Sequence, residues 1–175
     1  MRPANQAWIA AILALLAGAA IYLLARDWST VYLLAWAADA QAGGPLLKLG
    51  AWAGSAPSFA HAFSFGLLTA LILGGGSRHA AFACLFWGVT DTLLELLQRP
   101  EWSMAIPQLP IEWAAWPLLD NLQAYFQQGR FDSIDIVAIA LGTFAAWLLA
   151  RSLPANINIH PITWRNSHAA ETAEL

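Results

Sequence analysis

Charge is what this sequence has least of. Only 11% of its 175 residues are Asp, Glu, Lys or Arg, against about 25% in an ordinary soluble domain. Hydrophobic residues make up 59%, so the composition is that of a membrane protein. The net charge of −3 is small and unclustered. No basic patch exists, and nucleic acid is not an expected partner. Cysteine is nearly absent too. Cys84 lies alone inside an apolar run, which excludes an intrachain disulfide and reads as a small buried hydrophobe. The H-E-x-x-H pair, the G-x-S-x-G elbow and the Gly-rich phosphate loop are all missing. No cofactor is therefore expected.

What is present is a series of uncharged runs. Ala7 to Ala25 contains no charge and stops at Arg26-Asp27. At about 1.5 Å per residue it nearly spans a ~30 Å hydrocarbon core. The small residues Ala17-Gly18-Ala19-Ala20 raise the alternative of a cleaved signal. The apolar run is overlong for that and continues to Leu24, so it reads as a retained helix. Pro57 to Leu73 is a second span, with Pro57 in the first turn. A third runs from about Ala80 to Gln98 and stops at Arg99-Pro100. A fourth runs from Asp132 to Ala150 and is ended by Arg151 and Pro154.

Two stretches between the spans are different. Trp28 to Ala56 is broken by Asp39, Gly43-Gly44-Pro45 and Lys48. It reads as two interfacial or re-entrant segments anchored by Trp28, Trp36 and Trp52, or as one extra tilted span. Glu101 to Gln128 is rich in Pro and Trp and reads as an ordered cap on the membrane surface. The expected fold is thus all-α: a polytopic membrane helix bundle of four spans plus short interfacial helices. It occupies residues 1–154, with a polar tail over 155–175.

The span order has a geometric consequence. The second span starts, the third ends and the fourth starts at one membrane face. His61, Glu95, Gln98, Arg130, Asp132 and Asp135 therefore gather near that face, with Asp91 about 10 Å deeper than Gln98. Asp91, Glu95 and Gln98 share one stripe of their helix at i, i+4 and i+7. Carboxylates at membrane depth avoid lipid, and Arg130 is the expected cation to meet Glu95 or Asp135. Basic residues divide evenly between the faces: Arg2, Arg78, Arg151 and Arg165 against Arg26, Lys48, Arg99 and Arg130. Setting Arg130 aside as a site residue places the termini inside and the polar cluster outside.

These residues resemble the VanZ-like family of small bacterial membrane proteins. His61-Ala62-Phe63 resembles the family's H-x-F start, and Glu95 with Gln98 its E-x-x-Q. Gly129-Arg130 followed by Asp135 resembles its G-R-x-x-x-x-D, with Gly142 two turns beyond. The resemblance covers residues 59–149. Leu97 and Ile139 stand where the family often has His and Asn, and the E-x-x-Q and G-R pieces are usually closer together. The resemblance implies a multi-pass protein of the inner (plasma) membrane, in a family named for low-level resistance to the glycopeptide teicoplanin. It brings no known reaction.

Two expectations follow for function. One is a binding protein whose polar site (His61, Asp91, Glu95, Gln98, Arg130, Asp132 and Asp135) faces the outer side. It would take a membrane lipid, an envelope glycan, a glycopeptide or a lipid-linked ligand. The other is a small membrane enzyme using Glu95, His61 or Asp135 as acid or base on a lipid-linked or envelope substrate. His61, Asp91, Glu95 and Asp135 are also donor types that suit Zn or Mn. Against both stands a purely structural ion pair of Glu95 with Arg130.

Overall fold

A computed structural model describes residues 2–28, 37, 39–40, 44–48, 50, 54–103, 126 and 129–155. The expected interfacial segments, the cap and the polar tail fall almost entirely outside these. Among the described residues all regular structure is helical. Four helices carry the fold: α1 (Pro3–Ala25), α2 (Ala56–Ile72), α3 (Gly76–Leu96) and α5 (Ser133–Arg151). A one-turn helix, α4 (Pro100–Ser103), follows α3.

Local chemistry sets the boundaries. Pro3 and Pro57 each lie in a first turn, where a missing N–H costs nothing. Helix α2 ends in a Schellman motif. The Gly75 N–H donates to the Ala70 carbonyl and the Gly74 N–H to the Leu71 carbonyl. Gly74, Gly75 and Gly76 have φ of 100°, 74° and 81°, a conformation that L side chains resist. This turn reverses the chain within three residues and sends α3 back antiparallel to α2.

Helices α2, α3 and α5 pack against one another in all three pairs, while α1 packs chiefly on α2. The seams are made of small residues. Cβ atoms at Gly66 and Gly88 would come within 3.3 Å of the Cys84 sulfur and 3.1 Å of the Thr143 side chain. A Cβ at Gly18 would lie 2.6 Å from that of Ala60, and one at Gly142 would collide with the Phe59 carbonyl oxygen. The core itself is largely alanine: Ala7, Ala11, Ala62, Ala70, Ala80, Ala83, Ala146 and Ala150, with Leu67, Leu71 and Cys84.

Two of the helices, α1 and α5, are long and apolar enough to cross a membrane. Helix α2 is apolar but only 17 residues long. Helix α3 has 21 residues, but Arg78, His79, Asp91 and Glu95 lower its hydropathy. Among the described residues, length and composition alone thus mark two of the four expected spans.

The close approach of α5 to α2 yields a prediction. Gly142→Ala should lower the unfolding midpoint, at an overpacking cost of about 1–3 kcal/mol. Gly50→Ala, with nothing within 4 Å of its Cβ, should not. Equal thermal unfolding of the two variants in detergent would show that the helices do not meet at Gly142.

Candidate functional site

The end of the bundle where α2 begins, α3 ends and α5 begins is polar. Asp132 is the N-cap of α5, and its side chain accepts a hydrogen bond from the Ile134 N–H at 2.9 Å. In a capping box, the acidic residue three positions on would accept the N-cap N–H. That residue is Asp135, yet the Asp132 N–H donates instead to Glu95 Oε1 of α3, at 2.7 Å. Asp135 is thereby free to accept from the Ser58 hydroxyl of α2, at 3.0 Å. One deeper contact completes the set: His61 Nδ1 of α2 lies 3.0 Å from Asp91 Oδ2 of α3. Three acids therefore tie three helices in every pairing, and all three are buried.

The imidazole of His61 is held on more than one side. Phe65 lies against it with ring centroids 4.4 Å apart, and Trp87 meets it edge-on at 5.8 Å. Trp87 is fixed in turn by its indole N–H, which donates to Thr69 Oγ1 at 2.9 Å. Asp91 is only 7% exposed, whereas the His61 side chain is 41% exposed. The pair thus presents its histidine outward and keeps its carboxylate inside. With Asp91 ionised and the ring neutral, Nδ1 carries the proton and Nε2 is an acceptor.

Beside this network lies a partly open cavity of about 590 Å³. Its polar end is formed by Ser58, His61, Asp91, Glu95 and Gln98. Its apolar wall comes from α1 through Leu15, Gly18, Ala19, Tyr22 and Leu23, and from Leu94 and Ile139. The volume is in the range of small-molecule sites.

Of the residues expected to share a site, His61, Asp91, Glu95 and Gln98 line this cavity. Asp132 and Asp135 stand behind it, joined to Glu95 and Ser58. Gln98 packs on the start of the α5 segment: a Cβ at Gly129 would lie 2.6 Å from its Oε1. Arg130 departs from expectation. It is exposed and forms no ion pair with Glu95 or Asp135. Glu95 instead accepts a backbone N–H and Asp135 a hydroxyl, so neither carboxylate is without a hydrogen-bond donor when Arg130 stays in solvent. Among the described residues, no group of three or more His, Cys, Asp or Glu side chains could hold a metal ion.

Sequence reasoning missed Ser58 and the contribution of α1. It also missed the His61–Asp91 pair, although a depth count would have found it. His61 lies five residues into α2 and Asp91 five before the end of α3, so antiparallel neighbours place them level.

No family model, curated protein or solved structure matches the chain.

The geometry ranks three substitutions. Glu95→Ala orphans the part-buried Asp132 N–H and should cost about 1–3 kcal/mol. Glu95→Gln keeps an acceptor and should cost less. Arg130→Ala should fall within about 0.5 kcal/mol of the parent, as a surface change does. Unfolding in a detergent titration gives the order, and an Arg130→Ala loss as large as that of Glu95→Ala would refute the network.

Proposed function

We propose that this chain is a four-span, VanZ-like protein of the plasma membrane that binds an amphiphile in the cavity between α1 and the α2–α3 face. The carrying observation is where the large and small apolar residues lie. On α3, Phe82, Leu85, Phe86, Val89 and Leu93 are each at least 49% exposed, at helical spacing along one face. Val137, Leu141, Phe144 and Leu148 on α5, and Ile9, Ile12, Leu13 and Leu16 on α1, are likewise exposed, each by at least 39%. Inside are alanines and glycines. Water penalises such an arrangement at about 25 cal/mol per Å² of apolar surface left exposed. Lipid does not, and small residues are what membrane helices use to approach one another. This supports α3 as a span despite its polar end. The four helices, at about 1.5 Å per residue, also match a ~30 Å hydrocarbon core.

The cavity supports the binding reading through its two-sided chemistry. An apolar wall along α1 suits a tail, and the polar end at the helix termini suits a headgroup. An envelope lipid, a lipid-linked glycan or a lipid-bearing glycopeptide has that form. The kinship to VanZ-like proteins rests on His61, Glu95, Gln98, Gly129, Arg130, Asp135 and Gly142 in their order. With Arg130 exposed it rejoins the charge count, four basic residues fall at each face, and charge no longer orients the bundle.

A second reading is favoured by one observation. A histidine held by a buried carboxylate in the lining of a cavity has the arrangement of a general base. Acid/base chemistry on a lipid-linked substrate would use it, and a changed mass of the bound molecule after incubation separates turnover from binding.

Two measurements test the proposal. Reporters placed after Leu175 and within residues 101–128 should read on opposite sides of the membrane; the same side for both rules out four spans. Native mass spectrometry should find an amphiphile on the parent protein and none on Ala19→Trp, since Ala19 faces the cavity and is itself exposed. An equal load on both proteins would place the ligand elsewhere.

A further inference from the structure

The headgroup chemistry follows from counting protons and charges at the polar end of the cavity. Among the described residues, no lysine or arginine lines it. The Ser58 hydroxyl spends its proton on Asp135, so its oxygen is left as an acceptor. In the neutral tautomer whose Nδ1 proton goes to Asp91, His61 leaves Nε2 as an acceptor. Asp91 and Glu95 contribute carboxylates. Behind them, the Asp132 N–H is bonded to Glu95 and the Asp135 carboxylate to Ser58. Among the described lining residues, Tyr22 and Gln98 also carry donor groups. Two carboxylates, with no lysine or arginine among the described lining residues, leave an excess of negative charge in a lining rich in acceptors. Arg130, the residue that would have welcomed a phosphate, is turned out to solvent.

We propose that the cavity selects an amphiphile whose headgroup is a protonated amine, seated between Asp91, Glu95 and the Nε2 edge of His61, with its tail along the α1 wall. This rests on the amphiphile-binding reading above and adds the class of headgroup. An ammonium supplies N–H donors for the carboxylates and for Nε2, and its charge meets the local excess. A phosphate or sulfate head brings acceptors to acceptors and adds to the negative charge.

The test compares three probes with the same tail: dodecylammonium, dodecanol and dodecyl phosphate. Binding is measured by calorimetry on the full chain in zwitterionic lipid nanodiscs, with empty discs and Ala19→Trp discs as blanks. Dodecylammonium should bind about ten- to a hundredfold more tightly than either other probe, the range of one charge-assisted hydrogen bond. The double variant Asp91→Asn/Glu95→Gln should lose that preference while retaining dodecanol. Both amides keep the acceptor oxygens that His61 and the Asp132 N–H require, and a single cooperative unfolding transition verifies the fold. Equal binding of all three probes, abolished by Ala19→Trp, would overturn the headgroup inference and leave the amphiphile reading standing. Tighter binding of dodecyl phosphate would also overturn it. Binding of no probe above the blanks would overturn both.

Discussion

The bundle depends on how one helix start is satisfied. The first turn of an α-helix offers N–H groups that nothing inside the helix can accept, and at membrane depth water does not supply the lack. For α5, Asp132 accepts one of these from Ile134, and Glu95 reaches across from α3 to take the Asp132 N–H itself. Because that contact comes from another helix, Asp135 is released to bind Ser58 on α2. A capping problem local to one helix thus becomes a tie among three. The register of the three helices is fixed by it, and so is the level at which His61 and Asp91 meet.

Away from that end, the same helices have little polar means of recognising one another. They rely on shape. Gly18 against Ala60, Gly88 against Thr143 and Gly142 against the Phe59 carbonyl bring backbones close. Close approach raises the number of van der Waals contacts per turn, each worth only about 0.1–0.2 kcal/mol. The large side chains that would obstruct these seams are displaced to the outside. Specificity at one end by hydrogen bonds and along the length by fit are complementary. The first sets the helices' vertical offset, and the second sets their spacing.

Much of this was legible in the chain before any coordinates. The uncharged runs located all four long helices to within a few residues, because an apolar run bounded by Arg26, Pro57, Pro100 and Arg151 leaves little freedom in where a helix stops. The gathering of His61, Asp91, Glu95, Gln98, Asp132 and Asp135 followed from the alternation of helix directions. Partners were not legible. Charge suggested Arg130 for Glu95, since opposite charges are visible in a sequence. The actual donor was a backbone N–H, which every residue carries and no sequence pattern displays. Ser58 was overlooked for a related reason: one hydroxyl among apolar residues has no periodic signature. The wall contributed by α1 was invisible because its residues are ordinary span residues, distinguished only by what they stand beside.

Helix α1 is joined to the rest along its seam with α2, while α2, α3 and α5 are mutually packed. The cavity lies under this singly attached helix and is partly open. In a bilayer, an opening beside a lone outer helix looks onto acyl chains. A molecule already dissolved in the leaflet would then arrive sideways, its head kept level with the helix ends and its tail never drawn through water. Occupancy would follow the ligand's mole fraction among the lipids, so a compound scarce in bulk solution but strongly partitioned into the membrane would fill the site.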